Sequence, residues 1–116
     1  MISSCPLLSI VIPNYNGRMF MENCLRSILK TKYPNFEVIV VDDASTDDSV
    51  ALIQEKFGGD SRIRVYRNHE NIGPAGACNL GIAVAKGEFI VFLGNDNEVD
   101  EDWLGASLEE RTAMFI

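Results

Sequence analysis

Histidine occurs once, at His69, and lysine and arginine together number 10 against 17 aspartates and glutamates, a formal charge of −7. Each shortage excludes something. A lone imidazole in a polar loop, with no nucleophile paired to it, reads as a surface residue rather than a catalyst. The deficit of cations argues against nucleic acid as a partner, because binding a phosphate backbone works by displacing counterions with clustered Lys and Arg. Cysteine is also sparse. Cys5, Cys24 and Cys78 have neither the close spacing of a zinc site nor the even count of a disulfide framework, and are read as reduced thiols in a cytoplasmic protein. No apolar run approaches the roughly 20 residues of a membrane span, and the N-terminus lacks the basic start and long apolar stretch of a signal peptide. A cytoplasmic location is expected, with peripheral association at the inner face of the membrane left open. The dinucleotide fingerprint is missing too, since Gly73, Gly76 and Gly81 follow the third apolar run rather than the first. No G-x-x-x-x-G-K-S/T element occurs, and Ser3, Ser4 and Ser9 have no nucleophile-elbow context.

What is present is a regular alternation. With 116 residues and 47% hydrophobic content, the chain can bury one core, so residues 1–116 are expected to form a single domain. Leu7 to Ile12 is an apolar run that Pro13 is expected to close. Met21, Cys24, Leu25, Ile28 and Leu29 follow the stripe of an amphipathic helix over Phe20 to Leu29. Phe36 to Val41 is a second strand, and Ser45 to Asp48 supplies caps and first-turn acids for a helix from about Asp47 to Phe57. Gly58 and Gly59 end that helix, and Ile63 to Tyr66 is a short third strand. Gly76 to Lys86 reads as a helix with a small-residue face. Phe89 to Leu93 is a fourth strand, followed by an acidic turn and a short helix from about Glu101 or Asp102. This β-α-β-α-β-α-β order predicts an α/β fold, a parallel Rossmann-like sheet of about four strands with flanking helices and right-handed crossovers.

Two acidic turns carry the chemistry. VIVVDDASTDD is a buried strand running into Asp42 and Asp43, and open α/β sheets bind small molecules just beyond the carboxyl ends of their strands. The same pair also suits a helix-capping turn. After the fourth strand, Asp96 stands among Asn95, Asn97 and Glu98. Hard cations such as Mg²⁺ or Mn²⁺ take oxygen ligands and commonly use one or two carboxylates plus substrate phosphates. Asn, Asp and Gly also dominate turns for conformational reasons alone, so both readings stand. An anionic ligand of so acidic a chain would need a cation. The loop NIGPAGACNLG places three glycines around a helix start, where backbone N–H groups can admit a phosphate.

The opening SIVIPNYNG, the VIVVDDASTDDS strand and turn, and the stretch NIGPAGACNLGIAVAKGEFIVFLGNDNEVDEDWL resemble, in order and spacing, the nucleotide-binding half of family 2 glycosyltransferases, which have the GT-A fold. The match runs from about Leu8 to Leu104. The resemblance implies transfer of a sugar from a nucleoside-diphosphate sugar, most often a UDP-sugar, to an acceptor hydroxyl with inversion and with metal assistance. It implies that Pro13, Asn14 and Tyr15 cradle the base, that Asp42 and Asp43 contact base or ribose, and that Asn71, Gly73 and Asn79 lie near diphosphate and ribose. Gly94, Asn95 and Asp96 take the place of D-x-D. Asn95 then belongs to the nucleotide-sugar site, and Asp96 holds the Mg²⁺ or Mn²⁺.

Gly94 stands where the first Asp of that motif is usual, and Cys78 where an Arg is common. Enzymes of this kind continue past Trp103 and Leu104 into an acceptor-binding half that carries the catalytic base. That half is expected to be absent from residues 1–116, so no catalytic residue is assigned and the acceptor, a glycan or lipid-linked sugar, is unspecified. The apolar ending TAMFI is expected to pack on the sheet or on a second copy of the chain, which would make a homodimer. Two other readings are a non-enzymatic binding module with a decayed donor site, and a receiver-type signalling domain. The last is disfavoured because Pro13 and Asn14 occupy the place after the first strand where its acid pair should be.

Overall fold

The computed structural model describes residues 5–104. Seven elements follow one another as β1 (Leu8–Asn14), α1 (Arg18–Leu29), β2 (Phe36–Asp42), α2 (Ser49–Phe57), β3 (Ile63–Arg67), α3 (Gly73–Val84) and β4 (Phe89–Phe92). The four strands form one parallel sheet in the order β3-β2-β1-β4. The chain therefore builds outward from β1 through β2 to β3, then crosses back to lay β4 on the other side of β1. The point of reversal lies between β1 and β4, and in open sheets that is where the crevice for a ligand forms.

All seven residues of β2 are buried, as a strand covered on both faces requires. Alternate side chains go to opposite layers. Leu8, Ile10, Ile12, Phe36, Val38 and Val40 pack with Met21, Cys24, Leu25 and Ile28 of α1 and with Ile53 and Phe57 of α2. Val11, Ile39 and Val41 pack with Ala77 of α3 and, partly buried, Leu80 and Val84. A Cβ added at Gly81 would meet the Val11 side chain, so α3 lies against β1 at a distance that only glycine allows there.

Several boundaries differ from expectation by a residue or two, with α3 ending at Val84 rather than Lys86 and β4 at Phe92 rather than Leu93, and three of the differences have a clear local reason. Pro13 does not close β1; it lies inside it, opposite Val41 of β2. The Asn14 carbonyl accepts from the Asp43 N–H, so Asn14 bonds towards β2 and Pro13, one residue earlier, points its backbone towards β4. Pairing with β4 ends at Val11, whose carbonyl accepts from the Leu93 N–H, so the donor that proline lacks has no acceptor to miss. Helix α3 begins at Gly73 rather than Gly76, because Pro74 in the first turn has a φ already suited to a helix and an N–H that would have no partner. Helix α2 begins at Ser49, whose N–H donates to Asp47 Oδ1 (3.0 Å).

At the amino end of the sheet, buried Glu37 joins three segments. Its Oε2 accepts from Ser9 Oγ (2.6 Å) and the Lys86 N–H (2.7 Å), and its Oε1 from Arg64 Nη2 (2.6 Å). Ser9 Oγ in turn accepts from the Gly87 N–H (2.8 Å). The α3–β4 connection is thus tied down where it crosses β1. Beyond β4 the chain runs back over α1, with Trp103 Nε1 donating to Thr31 (2.9 Å) and Leu104 fully buried. A helical turn is present at Trp103 and Leu104, and its continuation, like the ending TAMFI, lies outside the described residues.

Candidate functional site

Asn14 is the last residue of β1 and is completely buried. Its Nδ2 donates to Asp42 Oδ1 (2.9 Å) and Ser49 Oγ (3.0 Å), with Ser45 Oγ at 3.4 Å, and its Oδ1 accepts from Asn95 Nδ2 (2.8 Å). One side chain therefore gathers the end of β2, the start of α2 and the turn after β4. Asp42, also fully buried, accepts from Ser45 Oγ (2.6 Å) and the Ser45 N–H (3.0 Å) as well. The carboxylate closes its own turn, as the capping reading of this segment anticipates. Ion pairing to Arg67 of β3 at 3.8 Å supplies the compensating charge that a buried acid needs.

Asp43 points the other way. Its Oδ1 accepts from Asn68 Nδ2 (3.1 Å) and the Ile72 N–H (2.9 Å), and its Oδ2 from the Gly73 N–H (2.9 Å). Burial works to raise the Asp43 pKa, but the three donors outweigh it and hold the carboxyl below its ordinary value. Gly73 has φ of +85°, a conformation glycine reaches without strain, and that turn aims its N–H at the carboxylate. Two of the backbone donors at the start of α3, the place expected to admit a phosphate, are therefore already occupied by an internal anion. Asn71 is exposed, and its Oδ1 also accepts from the Gly73 N–H (3.1 Å). Asn79 is exposed further along α3, without a described hydrogen bond to this cluster.

Two non-glycine residues at this rim have positive φ, Asn16 (53°) and Ala44 (63°). Asn16 compensates locally: its Oδ1 accepts from the N–H groups of Thr46 (2.7 Å) and Asp47 (3.1 Å), binding the β1 loop to the β2 loop. Arg18 adds a contact to Asp48 Oδ1 at 2.5 Å. Tyr15, held between these anchors, presents its ring to solvent at 51% exposure and is available for stacking.

The turn after β4 is short and tight. The Asn97 N–H donates to the Gly94 carbonyl (3.1 Å), and a Cβ at Gly94 would lie 3.0 Å from Asn97 Nδ2 and 3.1 Å from Asp96 Oδ1. Gly94 thus sits in a turn where a side chain would press on the ends of its two neighbours. Asp96 is exposed, and no hydrogen bond or ion pair from the described residues engages its carboxylate. Its charge is nevertheless felt below: burial, then Asp96 and Glu98, push the Cys24 thiol up to about 12, so Cys24 is a core residue without thiolate character. The described residues contain no group of three His, Cys, Asp or Glu side chains able to cage a metal.

The structure thus brings Asn14, Asp42 and Asn95 into one hydrogen-bonded cluster, with Pro13, Tyr15 and Asp96 adjacent in the chain, and sets Asp43, Asn71 and Gly73 in a second. Asn16, Ser45, Ser49 and Asn68 complete the clusters and were not predicted as site residues. The signal for Asn16 was a polar NYNG run directly after a buried strand; nothing local marks Asn68. His69 is exposed beside Asn68.

The profile described as Glycosyl transferase family 2 matches residues 9–111, and the chain belongs to that family. Glycosyltransferase GlyG of Streptococcus pneumoniae is 41% identical over 98 residues, covering 84% of this chain and 33% of GlyG. Among solved structures, S. aureus TarS 1-349 in complex with UDP-GlcNAc superposes with a TM-score of 0.81 at 30% identity, covering 88% of this chain and 30% of TarS 1-349. Mannosyltransferase PcManGT from Pyrobaculum calidifontis, in complex with GDP-Man and Mn²⁺, gives 0.85 at 28% identity, covering 92% of this chain and 32% of PcManGT. The sheet and its helices are thus of the GT-A, Rossmann-like kind, and the chain spans less than half the length of the curated relatives it matches.

Proposed function

We propose that this chain is the donor-binding part of a metal-assisted glycosyltransferase, taking a nucleoside-diphosphate sugar across the carboxyl ends of β1, β2 and β4. The observation that carries this reading is the exposed, unengaged Asp96 carboxylate, set beside the reversal point of the sheet by the bond from Asn95 to Asn14. The nucleotide-sugar complexes of TarS and PcManGT, the latter with Mn²⁺, support it. Tyr15 and the β1 loop receive the base, with Asp43 the acid nearest to it. Asn71, Gly73 and Asn79 flank ribose and diphosphate, and Asp96 is the protein ligand of the cation. When bound, that cation offsets the charge that builds on a departing nucleoside diphosphate. Asp42, with its oxygens committed to Asn14 and Ser45, acts by holding the turn rather than by touching the ligand. The same reading places the chain in the cytoplasm, in keeping with three unpaired cysteines. No described helix is long and apolar enough to cross a membrane. No described residue is assigned to acceptor binding or as the catalytic base.

Calorimetric titration with UDP, dTDP and GDP, each with and without Mn²⁺, tests the reading. One diphosphate should bind with affinity that depends on Mn²⁺, and Asp96→Ala should weaken that binding at least about tenfold, the scale of one lost charged contact. Nucleotide binding that ignores both Mn²⁺ and Asp96→Ala would refute the cation assignment. A folded chain that binds none of the three would favour the non-enzymatic module.

A further inference from the structure

Asn14 is surrounded by groups that settle its orientation. Asp42 is an acceptor only, so the Asn14 atom facing it is the Nδ2 donor, the opposite atom is Oδ1, and Asn95 must donate to it. This amide-to-amide bond runs beneath the start of α1, through space left by the missing side chain of Gly17. A Cβ at Gly17 would fall well inside contact distance of both Asn95 Nδ2 and Asn14 Oδ1. The need for glycine is one of room and not of dihedral angle, since Gly17 has φ of −98°.

Resting on the donor-site reading above, we propose that Gly17, Asn14 and Asn95 form a latch that positions the Asp96 turn for metal-dependent nucleotide binding. None of the three touches the cation; they are positioning residues. Asn14 cannot yield to an intruding group, because it is fully buried and bonded to Asp42 and Ser49. Asn95 is only half-buried, and its Nδ2 has no second described partner, so against an added Cβ it is the side chain that swings away, while the start of α1 gives way against Asn14. Once it does, residue 96 loses the tether that links its turn to β1. What remains are the two bonds within the turn from Asn97 to Gly94 and the anchors on either side of it, from the Leu93 N–H to the Val11 carbonyl, from the Cys24 thiol to the Gly94 carbonyl and from the Val99 N–H to Ser27 Oγ, none of which holds residues 95 and 96 themselves. The charge of Asp96 is then still present but no longer held at the reversal point of the sheet. Gly17→Ala and Asn95→Ala therefore act on one interaction from its two sides.

The test titrates Mn²⁺ into the chain saturated with whichever of UDP, dTDP or GDP binds tightest, following the loss of the free-ion electron paramagnetic resonance signal. Gly17→Ala and Asn95→Ala should each shift the Mn²⁺ midpoint about tenfold, as expected for one tethering hydrogen bond. The double variant should show about the same tenfold rather than the product of the two, because Asn95→Ala has already removed the tether, while the clash that the added Cβ keeps with Asn14 Oδ1 moves the start of α1 and is read in the melting temperature instead. A merely structural role would lower the melting temperature of each variant and leave the Mn²⁺ midpoint in place. Should Gly17→Ala fail to fold, Asn95→Ala alone reads the latch, since it introduces no clash. Unchanged midpoints in the single variants, or multiplied shifts in the double, overturn the latch while the donor-site reading stands. An unaltered chain that takes up no Mn²⁺ with any of the diphosphates overturns both.

Discussion

Ala44 concentrates the cost of this site in one backbone angle. At φ of +63° its Cβ crowds the following carbonyl, a conformation that costs an L-residue about 1–2 kcal/mol. The angle is imposed from outside, by Asp42 turning Ser45 back onto itself and by Asp43 reaching across to the loop before α3. Ala44→Gly removes the strain but gives the unfolded chain more freedom, so the net gain is expected at about 0.5–1 kcal/mol. A rise in the urea midpoint checks it; a fall would mean that the methyl of Ala44 packs favourably in the folded rim. Asn16, also at positive φ, shows the other solution, because its side chain repays the angle with two backbone hydrogen bonds. Few of these residue-scale relations were legible in the chain. The acids and asparagines of the rim stood out as candidates, but Asn14 meets its partners 28, 35 and 81 residues away. No local pattern encodes such pairings.

Elements were far more legible than contacts. The continuous apolar run of β2 and the stripe of α1 follow from burial on two faces and on one, and both are present within a residue or two of their expected bounds. The errors cluster where Pro occurs, at Pro13 and Pro74, because whether a missing N–H matters depends on what lies opposite. Helix α3 shows how composition and packing combine. Its small residues read as permission for close approach, and Gly81 uses that permission against Val11, itself fully buried in the central strand. Gly81→Ala should therefore destabilise. The gain in helix propensity, about 1 kcal/mol, is outweighed by an overpacking cost of up to about 3 kcal/mol. The expected net loss is about 1–2 kcal/mol in chemical unfolding, and a gain would show that α3 can retreat from the sheet without penalty.

Several carboxylates spread over the described residues are held charged by internal donors. Burial works to raise the pKa of Glu37, of Asp43 and of Asp47, but each is lowered overall by the hydrogen bonds it accepts. For Asp60 the bond from Arg62 is the largest influence, and it lowers the pKa outright. The sign follows directly. With folded values below the ordinary 4.5 of Glu and 3.8 of Asp, the unfolded chain binds more protons in that range. Stability is then fully present above those ordinary values and is lost as pH falls through the lowered ones. Urea unfolding should give a plateau near neutrality, with the midpoint falling steadily once pH passes below about 4.5. The net charge of −7 shrinks over the same range, and relief of its self-repulsion opposes the trend only weakly because most of those charges are exposed and screened. Stability that climbs continuously from pH 6 to pH 3 would show that repulsion, and not the internal donors, dominates.

By itself the sequence determined the class of fold, the order of strands and helices along the chain, and the acids available at the strand ends. Those properties are written in short-range periodicity and composition, which act through neighbours in the chain. Only the tertiary structure decided that β4 returns to the far side of β1, placing the reversal of the sheet beside Asn14 and Asn95. It also decided that Asp42 turns inward, that Asp43 occupies the N–H groups of Ile72 and Gly73, and that Gly17 must leave room for a hydrogen bond between residues 14 and 95. Each of these depends on distances between segments far apart in the chain, which are set by how two layers of helices close on one sheet.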